Sequence, residues 1–408
     1  MLPEPQTSQP QSGSQPVELN ELIYACLGTA RTRNIVPFGS AFLSPTLFPL
    51  DRLRRALVSS MRRHDPWRML EDLPPGNLQL KREIAKRYLR QGFAVATDEI
   101  VLTHGAMEAL TLCLNAVTKP GDAVVVESPT FYVALQVMQR LGLRAIEVPT
   151  HVREGIDLGR LAEVIEQHRP KACWLMTTFQ NPLGGLMPET KKRDLVALLA
   201  LHEVPLIEDD VYAELYEGNL APLPAKAFDR RGLVLHCSSF SKCLAPGYRV
   251  GWATPGAFTR EVERLKLMTS LSGSIPVQAA LAGYLQEGGY DRHLRSLRQS
   301  LQVQRDSLFD AVCRFFPDGT RAVRPAGGYF VWVELPIGVD AMALHQAALA
   351  HQISLAPGPM FSARAEFRHH IRLTCGQPWN ATLEHAMRTL GRLVADAPRT
   401  HGPTQPSL

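Results

Sequence analysis

The stretch that decides the fold is residues 238–252, which read Ser-Ser-Phe-Ser-Lys-Cys-Leu-Ala-Pro-Gly-Tyr-Arg-Val-Gly-Trp. Lys242 stands among small hydroxyl residues, and Arg249 follows seven positions later, behind a Pro-Gly turn. A lysine amine condenses with aldehydes, while hydroxyl groups and an arginine can hold a phosphate beside it. A ligand that carries both groups, as pyridoxal 5'-phosphate (PLP) does, therefore fits the run. An isolated Ser-x-Ser-Lys would more simply be a surface lysine in a serine-rich loop.

Five further blocks accompany this run in a fixed order. They are residues 103–110 (THGAMEAL), 181–185 (NPLGG), 208–212 (EDDVY), 325–332 (PAGGYFVW) and 371–373 (IRL). Their order and spacing resemble those of the class I/II aminotransferases, the fold type I enzymes that use PLP. The resemblance covers roughly residues 35–395, and it is closest to the aminotransferase-like half of MocR-type regulators of the GntR family.

Composition and charge are those of an ordinary globular protein. The chain has 408 residues, 45% of them hydrophobic and 20% charged, so more than one packed core is expected. The net charge of +5 is small for this length and does not argue for nucleic-acid or membrane binding, so no nucleic-acid partner is expected for this chain itself. Seven scattered cysteines without metal-ligand spacing predict reduced thiols, a cytoplasmic location and no metal site. No apolar run is long enough for a membrane span, and no signal peptide is visible.

The hydrophobic pattern predicts an α/β protein of two domains. Short buried strands alternate with amphipathic helices over residues 65–285, which predicts a large PLP-binding domain with a mostly parallel sheet flanked by helices. Residues 286–396 predict a smaller α+β domain, on which residues 17–64 are expected to pack. Residues 1–16, rich in Pro, Gln and Ser, predict a disordered lead or linker, and residues 397–408 a disordered tail.

The blocks that follow strands carry the expected cofactor site. Gly105 and Ala106 follow a strand and open a helix, where free backbone N–H groups bind phosphate. Asp209 ends an apolar strand, where a carboxylate can keep a pyridine nitrogen protonated. The resemblance implies the remaining roles, and we expect Asp210 to be solvated or to cap a helix. The implied ligands are Gly105, Ala106, Met107, Ser239, Ser241 and Arg249 for the phosphate, Asp209 for the ring nitrogen, Asn181 and Tyr212 for the phenolic oxygen, Phe131 for ring stacking, and Lys242 for the aldehyde.

The substrate end follows from the same resemblance. Arg372 aligns with the arginine that binds the substrate α-carboxylate, and its planar fork suits two parallel bonds to that group. Gly39 and Asn181 are expected beside it. Lys242, freed from the cofactor, is expected to act as the general base on the Cα proton of an amino acid. The second half of a ping-pong cycle would consume a 2-oxo acid.

Three functions remain open at this point. The chain can be a free-standing transaminase, or the PLP- and amino-acid-sensing module of a MocR-type regulator without its winged helix, since residues 1–16 resemble a linker. A different PLP reaction, such as that of a lyase, fits the same cofactor residues. The resemblance also implies a homodimer with sites at the interface, near residues 269–274 and 66–70. At 66–70 the chain reads PWRML where the family often carries a tyrosine.

Overall fold

The computed structural model describes residues 2–11, 13–16, 28, 34–63, 67 and 73–398. The strands are β1 (Gln15–Pro16), β2 (Val36–Pro37), β3 (Val101–Thr103), β4 (Ala123–Ser128), β5 (Arg144–His151), β6 (Gly155–Ile156), β7 (Ala172–Leu175), β8 (Leu206–Asp209), β9 (Val234–Ser239), β10 (Gly251–Thr254), β11 (Arg321–Ala322), β12 (Phe330–Glu334), β13 (Ile353–Ser354), β14 (Ala356–Pro357) and β15 (His370–Thr374). The helices are α1 (Leu50–Arg63), α2 (Leu78–Arg90), α3 (Ala106–Val117), α4 (Tyr132–Arg140), α5 (Leu158–His168), α6 (Glu189–Leu201), α7 (Thr259–Thr269), α8 (Ile275–Gln286), α9 (Gly289–Phe315), α10 (Ala341–Ala350) and α11 (Ala381–Ala395).

The larger sheet has the strand order β1-β5-β4-β7-β8-β9-β10-β3, with β6 added beside β5. Its central strands β5, β4, β7, β8 and β9 are parallel to one another. Alternate residues of β4 enter two different cores: Val124 and Val126 lie with apolar residues of α3, and Val125 lies with those of α5 and α6. Because both faces are covered, these strands read as continuous apolar runs. The predicted mostly parallel sheet flanked by helices is confirmed.

The C-terminal part of the chain forms a separate antiparallel sheet of four strands, in the order β11-β12-β15-β14. The strand β12 pairs with β15 so that Trp332 lies opposite Arg372. The helix α9 begins after Gly288, whose φ of 69° lies in the left-handed region, and packs against both α8 and α11. The smaller α+β part of the predicted fold is therefore present. The domain limits 65–285 and 286–396 stay a prediction.

The described part of residues 1–16 differs from the disordered lead that its composition predicts. Gln15 pairs with Ala145 at the free edge of β5. Nearer the N-terminus, the carbonyl of Pro3 accepts a hydrogen bond from the Ala322 amide at 3.0 Å, and the Gln6 amide donates to Glu334 at 2.7 Å. Backbone groups on sheet edges bind this segment, and a count of apolar side chains does not register such bonds. We call residues 2–16 the N-terminal strap.

The segment 17–64 lies partly outside the described residues. Within its described part, β2 pairs with β13, whereas α1 packs against α8. The packing of 17–64 on the small domain stays a prediction. The tail 399–408 also lies outside the described residues. In the described part of the chain, no helix has the length and apolar character needed to cross a bilayer. No group of three or more His, Cys, Asp or Glu side chains there could hold a metal ion.

Candidate active site

Lys242 follows β9 and lies at the carboxyl end of the parallel strands, where open α/β sheets bind ligands. Its Nζ donates to the carbonyl oxygen of Ala41 at 2.9 Å. The same atom is 4.8 Å from the centroid of the Phe42 ring and 5.9 Å from that of Tyr212. Burial, with a smaller contribution from the nearby Arg372, lowers the pKa of Lys242 to about 8. A substantial share of this amine is therefore neutral near physiological pH.

Asp209 ends β8 with its side chain turned into the protein. It is 1% exposed, and its Oδ1 has no hydrogen-bond partner among the described residues. Burial and the neighbouring Asp210 raise the pKa of Asp209 to about 7, against the opposing effect of Lys242. A buried carboxylate oxygen without a donor is costly unless a ligand supplies one. A protonated ring nitrogen is such a donor, so this position fits the expected role.

Asn181 and Arg372 form one buried unit. Arg372 donates from Nη1 to Oδ1 of Asn181 at 3.0 Å and from Nη2 to the Gly39 carbonyl at 2.7 Å. Because the amide oxygen is engaged, the amide nitrogen of Asn181 is directed elsewhere. Within the described part of the chain, that nitrogen and the Arg372 Nε are buried donors without an acceptor. The unit therefore offers one donor suited to a phenolate oxygen and another suited to a carboxylate.

Tyr212 lies three residues after Asp209 and is 2% exposed. Its ring makes T-shaped contacts with Tyr329 and Phe330, with centroids 5.4 and 5.5 Å apart. Burial, reinforced by the charge of Asp209, raises the pKa of Tyr212 above its ordinary value. The phenol therefore keeps its proton and can donate it in a hydrogen bond.

The phosphate end of the expected site is built from two loops. Arg249 donates to the Ser241 hydroxyl at 3.1 Å and to the His104 carbonyl at 3.2 Å. The helix α3 begins at Ala106 without a side-chain cap, which leaves its first N–H groups for an anion. Gly105 has a φ of 79°, and a Cβ there would come within 2.5 Å of the Arg249 Nη2. Glycine is thus required for the arginine to reach this turn.

The other expected ligands lie around these groups. Ser239 accepts a hydrogen bond from the Ser241 amide at 3.3 Å. Met107 is half-buried in the first turn of α3. Phe131 follows β4 and is half-buried, with its ring centroid 5.1 Å from that of Tyr132. The sequence blocks, although up to about 270 residues apart, thus converge on one end of the parallel sheet.

One prediction about the site was wrong, and one of its groups was not predicted. Asp210 is neither solvated nor a cap: it is 3% exposed, and its Oδ2 lies 3.0 Å from the His236 Nε2. The prediction was wrong because the backbone bonding to β9 continues one residue past β8, where the Asp210 amide donates to the Cys237 carbonyl at 2.9 Å, and the Asp210 side chain meets His236 of that strand. Ala41 was missed altogether, although its carbonyl also accepts from the Tyr329 hydroxyl at 2.8 Å. A backbone acceptor carries no side-chain signal in a sequence.

The comparison with protein families agrees with this geometry. The family described as "Aminotransferase class I and II" matches residues 66–390. The chain belongs to this family. The structural neighbours are aminotransferases of PLP fold type I, and the chain shares that fold. Family and fold together support a PLP-dependent transaminase.

Individual relatives fall into two groups. An uncharacterized HTH-type transcriptional regulator of Escherichia coli, YdcR, is 47% identical over 387 residues, which cover 95% of this chain and 83% of the regulator. A 2-aminoadipate transaminase of Thermus thermophilus is 30% identical over 367 residues, 88% of this chain and 90% of the enzyme. The solved structure of a kynurenine aminotransferase from Pyrococcus horikoshii superposes with a TM-score of 0.86 at 27% identity, covering 93% of this chain and 95% of that enzyme.

Proposed function

We propose that this aminotransferase holds PLP through Lys242 and moves an amino group between an amino acid and a 2-oxo acid. One observation carries the proposal. Around the amine of Lys242 stand three buried polar atoms that lack partners among the described residues: Asp209 Oδ1, Asn181 Nδ2 and Arg372 Nε. Each is complementary to one group of the expected ligands. The Asp209 oxygen suits a protonated ring nitrogen, the Asn181 nitrogen a phenolate oxygen, and the Arg372 nitrogen a substrate carboxylate. When bound, PLP supplies an electron-accepting ring that stabilises negative charge at the substrate Cα.

Each part of the site has a task in this proposal. The phosphate would be held by two groups of residues. One is the N-terminus of α3 with Gly105, Ala106 and Met107, and the other is Ser239, Ser241 and Arg249. Asp209 would keep the ring nitrogen protonated, Asn181 and Tyr212 would donate to the phenolic oxygen, and Phe131 would pack on the ring. Arg372, beside Gly39, would bind the substrate carboxylate and so orient the Cα–H bond. The Lys242 amine would then take the proton from Cα and return it to the cofactor carbon that carries the amino group.

A spectroscopic experiment tests the cofactor assignment. Purified protein incubated with PLP should develop a visible absorption band, and borohydride should make the attachment permanent at Lys242. The Lys242→Ala variant should show neither. A reducible adduct that persists in Lys242→Ala would place the attachment at another residue. Addition of single amino acids to the wild type should bleach the band and release the matching 2-oxo acid, whereas release of a side-chain fragment would identify a lyase.

The regulatory alternative has its own supporting observation. The relative that is 47% identical is named as an HTH-type transcriptional regulator. In that case the same site would bind amino acids and change its absorption without sustained turnover. Steady-state production of a second amino acid, measured with excess amino donor and 2-oxo acid, separates the two functions. Product that accumulates far beyond one equivalent per site supports the transaminase.

We also propose that the protein is a homodimer. Residues 269–274 lie beside the phosphate end, because the Ser270 hydroxyl and the Lys266 ammonium both contact Glu108 in the first turn of α3. Met268, just before this stretch, and Leu271, within it, are exposed, at 68% and 52%, which suits a surface covered by a second subunit. Residues 66–70, the other candidate region, lie outside the described residues except for Trp67. Sedimentation should give a dimer, and a monomer that binds PLP tightly and turns over would contradict the proposal.

A further inference from the structure

We propose that Glu214 is a positioning residue for the reaction. The inference rests on the function proposed above. It is that Glu214, Arg87 and Arg298 fix the positions of Tyr212 and Lys242 relative to each other. We call these three residues the Glu214 cluster. None of the three contacts the Lys242 amine, so any effect on the chemistry must pass through the residues that they anchor.

Both carboxylate oxygens of Glu214 and its carbonyl are engaged by arginines. Arg87, on α2, donates from Nε to Oε1 at 2.7 Å, and its Nη2 contacts the same oxygen. Arg298, on α9, donates from Nη2 to Oε2 at 2.9 Å and from Nε to the Glu214 carbonyl at 2.7 Å. All three side chains are 17% exposed. Such two-pronged pairs away from bulk solvent fix geometry as well as charge.

The cluster reaches Tyr212 through a single tight turn. Glu214 is the middle residue of the 3-10 turn Ala213–Leu215, and the Leu215 amide donates back to the Tyr212 carbonyl at 2.8 Å. The Arg298 guanidinium also lies 3.6 Å from the centroid of the Tyr216 ring, just past the turn. With the turn held on both sides and the Tyr212 ring packed against Tyr329, the position of the phenol oxygen is set.

The same cluster reaches the lysine loop through Tyr290. The Tyr290 hydroxyl lies 2.9 Å from the Sγ of Cys243, the residue that follows Lys242. The Cys243 carbonyl accepts a hydrogen bond from His293 Nε2 at 2.7 Å. Arg87 stacks its guanidinium over the Tyr290 ring at 4.4 Å and pairs with Asp291 at 2.8 Å. The first turns of α9 therefore carry anchors for both loops, and Arg87 is shared between them.

The consequence concerns catalytic geometry rather than substrate affinity. Tyr212 and Lys242 face each other across the site, with Nζ 5.9 Å from the ring centroid. A misplacement of about 1 Å at a reacting group can cost on the order of a hundredfold in rate. Substrate affinity depends on Arg372, which the cluster does not contact. Loss of Glu214 should therefore lower kcat far more than it raises KM.

The chain offers a matched control in Glu217, three residues further on. Its carboxylate also accepts from two arginines, Arg305 at 3.3 Å and Arg324 at 3.1 Å. Those arginines keep other partners when Glu217 is changed, since Arg305 donates to the Gly328 carbonyl and Arg324 pairs with Asp306. Glu214→Gln and Glu217→Gln thus remove the same kind of group from neighbouring positions, but only Glu214 lies within the 3-10 turn that follows Tyr212.

The experiment compares these two variants as PLP-loaded proteins. Glu214→Gln should lower kcat about 10- to 100-fold with KM for the amino acid within about twofold. It should also shift the absorption maximum of bound PLP, because Tyr212 would donate to the phenolic oxygen of the chromophore. Glu217→Gln should lose thermal stability but keep the wild-type spectrum and kcat.

The outcomes separate this inference from the proposed function. Equal changes of spectrum and kcat in both variants, or a wild-type spectrum in Glu214→Gln, would overturn the positioning role alone. Absence of a visible band in the wild type would overturn both proposals. If Glu214→Gln does not fold, Arg298→Lys keeps the charge but loses the two-pronged contact, and it should shift the spectrum in the same direction. An unchanged spectrum there would count against the inference.

Discussion

At the scale of single residues, the environment of Lys242 sets its reactivity. Burial and two nearby arginines, Arg372 and Arg249, lower the pKa of its amine to about 8. Only the neutral amine attacks an aldehyde, and the neutral fraction grows as pH rises through the pKa. At pH 7 roughly a tenth of this amine is neutral, against well under a thousandth for a lysine with an ordinary pKa.

This shift leads to a pH prediction. The rate at which cofactor-free protein takes up PLP should rise with pH through about 8 and level off above it. Stopped-flow growth of the visible band, followed from about pH 6 to about pH 10, measures it. A rate that still climbs at the upper end of this range, as expected for an amine with the ordinary lysine pKa of 10.5, would show that the amine is unperturbed. The Lys242→Ala variant, which lacks this amine, serves as the blank.

Arg372 carries the second residue-scale prediction. It is 1% exposed and holds Asn181 and Gly39 in place. Arg372→Ala should weaken amino-acid binding by about 2–5 kcal/mol, or roughly one and a half to three and a half powers of ten, while PLP stays bound. Arg372→Lys should recover only part, because an ammonium cannot make two parallel bonds. Titration of amino acids against the visible band measures both, and unchanged affinity would move the carboxylate site elsewhere.

At the scale of elements, the junction between β3 and α3 joins a helix N-terminus to Arg249. Gly105→Ala would place a methyl group 2.5 Å from the Arg249 Nη2, in a conformation with a φ of 79°. The displaced arginine should weaken PLP binding about 10- to 100-fold, the range expected for a lost charge-assisted hydrogen bond. Binding of pyridoxal, which lacks the phosphate, should change much less. Equilibrium titration with the two compounds measures the ratio.

The control for this prediction is Gly121→Ala. Gly121 has a φ of 93° and no atom within 4 Å of an added Cβ, so the substitution introduces backbone strain without touching Arg249. It should destabilise the protein and leave both affinities as in the wild type. Equal losses for PLP and pyridoxal in Gly105→Ala would mean that the glycine serves stability rather than phosphate binding.

At the scale of the whole molecule, the N-terminal strap links the two sheets. Gln6 bonds to Glu334 on β12, whereas the Ser8 hydroxyl donates to the Ser128 carbonyl at the end of β4 at 2.6 Å. Arg144 on β5 donates to both the side chain and the backbone of Ser14, each at 2.8 Å. The strap therefore ties the edge of the large sheet to the small one, which bears Arg372.

Removal of residues 2–16 should loosen this tie. Each net hydrogen bond contributes about 0.5–1.5 kcal/mol, so the melting temperature should fall by several degrees. Amide hydrogen exchange in β5 should speed up, because its edge loses the pairing of Gln15 with Ala145. The opposite edge strand, β3, is the internal control and should exchange as before. Unchanged exchange in β5 would show that the strap does not hold that edge in solution.

Local patterns in the chain, together with the family resemblance, were enough to predict the fold and to name the candidate site residues. Apolar runs between turn residues predicted the strands of the large sheet except β1 and β6, and the confirmed fold contains them. Motif residues such as Lys242, Asp209 and Arg372 could be named as site candidates because the chemistry of a side chain is known from its residue type. In such a sheet the carboxyl-terminal residues of the parallel strands lie at the end where ligands bind.

Other features depend on neighbours that only the tertiary structure brings together. Asp210 is buried because His236, on the adjacent strand, partners it. The carbonyl of Ala41 reaches Lys242 across 201 positions of sequence, and the Glu214 cluster joins three elements that no spacing rule relates. Hydrophobic periodicity and side-chain motifs are local signals. Backbone acceptors, sheet edges and ion pairs between distant elements acquire their meaning only when packing fixes the distances, and those were decided by the folded chain alone.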